Sequence, residues 1–127
     1  MKKHALILLC ITLLSGCAAP QGTAAYQKIS AEEAKKMLDG TAETVLVDVR
    51  TRDEFDQGHI PGAILLPNTD IRDKAAQELP DKNAVILVYC RSGNRSKTAS
   101  QELIAMGYTQ VYDFGGIIDW PYETVTE

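Results

Sequence analysis

The sequence predicts a small α/β domain whose mostly parallel central sheet is flanked by helices. Short β-branched apolar runs recur at residues 45–47, 63–66 and 84–89. Amphipathic segments with recognisable start and stop signals lie between them. The strongest of the runs leads through a glycine-containing turn straight into the strongest helical pattern. Strands that alternate with helices at this spacing pair in parallel, each crossover helix covering one face of the sheet. A chain of 127 residues holds one such domain and not two. Its hydrophobic content of 45% and charged content of 24% are those of a globular protein.

The first segment stands apart from the domain. Met1-Lys2-Lys3-His4 is a short basic start, and an apolar run follows to Leu14, interrupted only by Thr12. Leu14-Ser15-Gly16-Cys17 then sets small residues before a cysteine. This is the layout of a secretory signal, too short to cross a bilayer comfortably. The cysteine makes it resemble the bacterial lipobox, which implies cleavage of residues 1–17 and acylation of Cys17. The chain is then expected at the cell envelope, lipid-anchored on the extracytoplasmic side of the outer or plasma membrane. Several acyl chains anchor firmly, at about 0.8 kcal/mol for each buried methylene. Residues 18–25, rich in alanine and glycine, read as a flexible tether, and residues 26–127 as the folded domain.

Within that domain Ser30-Ala31-Glu32-Glu33 is a capping box. Ala34, Met37 and Leu38 give the helix one apolar face, and Gly40 ends it. Residues 45–47 read as a buried strand. Thr51-Arg52-Asp53-Glu54 caps a short helical turn that carries Phe55. Residues 63–66 form a second strand, bounded by Pro61-Gly62 and Pro67, and residues 70–79 a modest helix closed by Pro80. Residues 84–89 are the strongest strand. Residues 96–106 are the strongest helix, offering Ala99, Leu103, Ile104 and Met106 to the core, with Gly107 as its stop. A last short strand covers residues 110–112.

Charge and cysteine use narrow the function. The formal net charge is −4, and loss of Lys2 and Lys3 with the signal makes it more negative. Such a chain offers no electrostatic footprint for nucleic acid. Cys10 leaves with the signal and Cys17 takes the lipid, so Cys90 is the one free thiol of the folded domain. Exported proteins usually pair their cysteines or lack them, so a lone thiol calls for a chemical explanation.

Cys90-Arg91-Ser92-Gly93-Asn94-Arg95-Ser96 joins the strongest strand to the strongest helix. In α/β sheets chemistry lies beyond the carboxyl ends of strands, where Cys90 stands. Gly93 and Asn94 tolerate unusual dihedrals, so successive amides can turn inward as an anion cradle, joined by the positive end of the helix. Amide donors and nearby guanidinium groups favour the thiolate. A purely structural core cysteine would not call for two arginines, two serines and a glycine in the six residues that follow it.

Cys-x-x-Gly-x-Arg-Ser after an apolar strand resembles the active-site loop of rhodanese-homology domains. Asp48-Val49-Arg50, Glu54-Phe55 and Gly58-His59-Ile60-Pro61-Gly62-Ala63 are similar to that family's amino-terminal signature, and Gly115-Gly116 with Trp120 to its carboxyl-terminal one. The resemblance runs from about residue 29 to residue 120 and implies a single rhodanese-like domain. It implies that Cys90 accepts a sulfane sulfur from a small anionic donor such as thiosulfate, holds it as a persulfide and passes it to cyanide or a thiol, including a protein thiol. Amides from Arg91 to Ser96, through Ser92, Gly93, Asn94 and Arg95, would hold the outer sulfur. Arg91 and Arg95 would attract the donor and stabilise the departing sulfite, Arg91 being favoured for substrate contact. Asp48 and Arg50 are candidates for the rim of the pocket or for a local ion pair. His59 sits in a scaffold signature.

Two other classes remain open. Cysteine-based phosphatases and arsenate reductases carry five residues between cysteine and arginine, where this chain has four from Cys90 to Arg95. A non-enzymatic binding module would not need the cysteine. No cluster has metal-ligand spacing and no glycine-rich phosphate motif is present, so neither metal nor other cofactor is expected.

Overall fold

A computed structural model describes residues 25–127. The proposed signal at residues 1–17, the lipidation site Cys17 and all but the last residue of the tether lie outside the described residues. Five strands form one wholly parallel sheet: β1 (Gln27–Lys28), β2 (Thr44–Asp48), β3 (Ile64–Leu65), β4 (Val85–Cys90) and β5 (Gln110–Gly116), in the order β1-β5-β4-β2-β3. Four helices connect them: α1 (Ala31–Asp39), α2 (Arg52–Gln57), α3 (Ile71–Glu78) and α4 (Asn94–Ala105). Short 3-10 turns occupy Asn68–Asp70 and Ile117–Asp119.

The α/β class with a parallel, helix-covered sheet is the one the sequence predicts, and the differences lie at its edges. β1 has no apolar signal because both of its residues are exposed and it is held by main-chain pairing to β5 alone. β5 runs four residues beyond the expected strand, through Asp113-Phe114-Gly115-Gly116, a stretch too polar and glycine-rich to read as a strand. α4 begins at Asn94, two residues early, because Gly93 takes φ +108° and turns the chain into the helix at once. Its residue Ile104 and the following Met106 are only partly buried, whereas Ala99 and Leu103 are fully so. Ser30 caps α1 by accepting the Glu33 amide at 3.0 Å. The reciprocal capping box closes instead at Thr51 and Glu54.

Side-chain alternation along β4 divides the core. Ile86, Val88 and Cys90 face α3 and α4, packing with Val47, Ile71, Leu103 and Tyr108. Leu87 and Tyr89 face α1 and pack with Ala34, Leu46, Phe114 and Trp120. With both faces covered, a central parallel strand must be apolar throughout, and that is why β4 carries the strongest run in the chain. The same parity puts the Cys90 side chain beneath the start of α4, so the strand's register aims the thiol.

Leu87 is fully buried at the centre of the sheet. Leu87→Ala is expected to cost about 2–5 kcal/mol, the combined loss of transfer energy and the cavity left behind. Urea denaturation followed by circular dichroism measures it; a cost below about 1 kcal/mol would show that this part of the core is loosely packed.

Candidate active site

β4 ends on Cys90, whose side chain is 1% exposed. The chain then turns over it. The Gly93 amide donates to Cys90 Sγ at 3.0 Å, and Ser96 Oγ lies 3.5 Å from the same sulfur. Ser96 Oγ also lies 3.1 Å from the Gly93 carbonyl, tying the turn to the first turn of α4. Burial opposes ionisation of the thiol. The Ser96 hydroxyl and the amides of Ser96, Gly93 and Ser92 outweigh that penalty and hold Cys90 below the ordinary thiol range.

The turn is braced from β5. Cys90 stands in register with Gly116, after an irregularity in the ladder that follows Val88. A Cβ on Gly116 would fall 2.1 Å from the Arg91 carbonyl oxygen and 2.7 Å from Ser92 Cα, an impossible approach. Only glycine allows β5 to press against the loop in this way. Gly93 itself lies against Gly115, and the Ile118 amide donates to the Arg91 carbonyl at 3.3 Å.

The arginines separate by partner. Arg95 reaches α2 and forms a forked pair with Glu54, at 2.6 Å and 2.9 Å. Arg50 pairs with Asp48 through contacts of 2.7–3.1 Å and donates to the Gly58 carbonyl at 2.6 Å. Asp48 is fully buried and Arg50 nearly so, and Arg50 reaches the edge of the cleft beside the loop. Arg91 is exposed, and among the described residues it takes part in no ion pair. Ser92 and Asn94 are exposed at the rim of the turn.

That cleft has a volume of about 390 Å³ and is lined by Arg50, Glu54, Gly58, Arg91, Ile117 and Ile118 among others. A second cleft of similar volume, between α1 and Trp120, contains no residue of the Cys90–Ser96 loop. His59 is engaged in packing contacts of its own. It stacks on Phe55 at 3.7 Å between ring centroids, its Nδ1 lies 2.9 Å from the Phe55 carbonyl, and its backbone pairs with Val125. Among the described residues no three His, Cys, Asp or Glu side chains gather as a metal set.

Sequence reasoning missed three contacts. Glu54 carries no visible sign of its pairing with Arg95, 41 residues away. The pressure of Gly116 on the loop is signalled only by the Gly-Gly pair. Asp113, buried on β5, accepts the Gly115 amide at 2.9 Å, an acid two residues before a glycine turn.

A family profile described as a rhodanese-like domain matches residues 30–121. The thiosulfate sulfurtransferase PspE of Escherichia coli (strain K12) is 40% identical over 73 residues, covering 58% of this chain and 70% of that one. A sulfurtransferase of Allochromatium vinosum is 40% identical over 94 residues, covering 73% and 86%. Among solved structures, a rhodanese with anions from E. coli superposes with a TM-score of 0.63 at 35% identity, over 67% of this chain and 100% of that one.

Hydrogen bonds from Arg95 come first among the causes that hold the Glu54 carboxyl down, to about 2 from its usual 4.5. A depressed carboxylate stabilises the fold above its unfolded value and loses that contribution as pH falls through the folded one. The stability difference between the parent protein and Glu54→Gln is therefore expected to be full above pH 4.5 and to close toward pH 2. Thermal melts across that range measure it, and a difference independent of pH would show that the pair does not link folding to protonation.

Proposed function

The chain belongs to the rhodanese-like domain family, and from that premise we propose that it is a sulfurtransferase carrying sulfane sulfur as a persulfide on Cys90. The observation that carries the reading is the Cys90 thiol under its amide turn, held below the ordinary thiol range although almost wholly buried. Thiosulfate is the donor we favour. The Cys90 thiolate attacks the outer sulfur of thiosulfate, the sulfur–sulfur bond breaks, and its electron pair leaves on sulfite. Cys90 then carries a terminal sulfur with a negative charge, held by the amides from Arg91 to Ser96. Cyanide or a thiolate attacks that terminal sulfur, departs with it, and returns Cys90 as thiolate.

Arg91 supplies the charge that draws the donor. It is the exposed guanidinium beside the turn, whereas Arg95 and Arg50 are committed to Glu54 and Asp48. In a chain of net charge −4 such a local cation decides whether a dianion approaches the sulfur. Its charge also stabilises sulfite as it forms, the electrostatic role of an oxyanion site. Asp48, paired with Arg50 and bonded to its amide at 2.9 Å, orders the strand end next to the loop. The turn of four residues between Cys90 and Arg95 favours a sulfur anion over a tetrahedral phosphate or arsenate.

We also propose that residues 1–17 direct export and that Cys17 becomes the lipidated amino terminus, holding the domain at the cell envelope through the tether. The basic start, the apolar run and Leu14-Ser15-Gly16-Cys17 support it.

Residues 18–127, incubated with thiosulfate, are expected to gain the mass of one sulfur atom, released as thiocyanate by cyanide. Cys90→Ser should gain nothing. A folded parent protein that takes up no sulfur would sink the thiosulfate reading and direct attention to other donors, phosphoesters or arsenate. For the anchor, the full chain expressed in a bacterium should partition into detergent with the membranes, and Cys17→Ser should not. Equal partitioning of the two would rule out lipid at Cys17.

A further inference from the structure

The end of β5 buries an acid that the proposed transfer chemistry does not use. Asp113 is 1% exposed and lies on the α4 face of the sheet, two residues after the core residue Val111. Its Oδ1 accepts the Gly115 amide, while Oδ2 has no hydrogen-bond partner in the protein. The hydroxyl of Ser100, fully buried on α4, has none either. Both are buried, one on α4 and one on β5, the strand that follows it. Ser96 Oγ stands 3.4 Å from the Gly115 carbonyl, and α4 runs back along β5. Four helical residues, about 6 Å, carry Ser96 to Ser100, while two strand residues, about 6.6 Å, carry Gly115 to Asp113.

A buried carboxylate with one unpartnered oxygen is a poor way to fill a core, and an apolar side chain would serve packing better. What the carboxylate supplies, and an apolar residue cannot, is the bond to Gly115. Gly115 takes φ +87° and Gly116 follows against the Arg91 carbonyl, so the corner that Asp113 fixes is the surface on which the cysteine loop rests. The same corner sends the Gly115 carbonyl to Ser96 Oγ, which lies 3.5 Å from Cys90 Sγ.

We propose that Asp113 is a positioning residue for the reactive thiol: by fixing the Gly115-Gly116 corner it sets the height of the Arg91–Ser92 peptide, and through it the donors that face Cys90 Sγ. The inference rests on Cys90 being the reacting group. It does not depend on which donor or acceptor the protein uses.

The experiment reads the thiol itself, by the pH dependence of Cys90 alkylation with iodoacetamide, so it stands whether or not thiosulfate is a substrate. Asp113→Ala is expected to move the midpoint upward and to slow alkylation at neutral pH about tenfold, the worth of one hydrogen bond to an anion. Asp113→Asn keeps an oxygen acceptor for Gly115 and should restore the parent rate to within about threefold. A folded Asp113→Ala with the parent's midpoint, or an Asp113→Asn as impaired as the alanine variant, would overturn the proposal. Should Asp113→Ala not fold, Gly115→Ala decides. Its Cβ would meet nothing within 4 Å, so it disturbs only the backbone of the corner. An unchanged midpoint there overturns the proposal, whereas an upward shift there together with a parent-like rate for Asp113→Asn supports it.

Discussion

A sulfur atom that must ionise while almost wholly buried needs donors to replace the water it has lost, and much of this fold follows from that requirement. Burial alone would hold Cys90 protonated. The offsetting donors are main-chain amides and a serine hydroxyl, which reach the sulfur only if the chain reverses within three residues of it. That reversal needs a left-handed residue at Gly93 and a helix that starts immediately afterwards. The turn in turn needs a floor, which β5 provides by ending in two glycines. Strand register, turn conformation and helix start are thus parts of one electrostatic arrangement.

The arginines show how charge near such a sulfur is kept in order. Arg50 and Arg95 are held in forked carboxylate pairs, which fix their planes and take them out of competition for an incoming anion. The two pairs fasten the end of β2 and helix α2 to the loop's surroundings. One cation, Arg91, is left facing solvent. The side chains that stiffen the site and the side chain left open to solvent are therefore different members of one residue type, distinguished only by what folding places beside them.

How far the site is legible in the sequence follows the same division. β4, α4 and the Cys90 loop are legible because their signals are local: an apolar run, a glycine turn and helical spacing in adjacent residues. The pairing of Glu54 with Arg95 is not, since nothing local marks two side chains 41 residues apart as partners. β1 escapes because Gln27 and Lys28 are exposed and contribute only main-chain pairing. The extension of β5 escapes because Asp113, Gly115 and Gly116 carry low strand propensity and serve the loop instead of the core. Packing is written in local pattern, whereas support for a reactive group is written in contacts between distant segments.

The depth of Cys90 sets a geometric threshold for whatever reacts there. With 1% of its surface exposed, the bare sulfur can be approached only by a slender reagent. A second sulfur changes the reach of the site, because a sulfur–sulfur bond of about 2.05 Å lifts the reacting atom outward by most of an atomic diameter. In the proposed persulfide the first sulfur would be a recessed anchor and the second a short arm. Loading would thus admit acceptors too bulky for the empty enzyme, and unloading would close the site to them again.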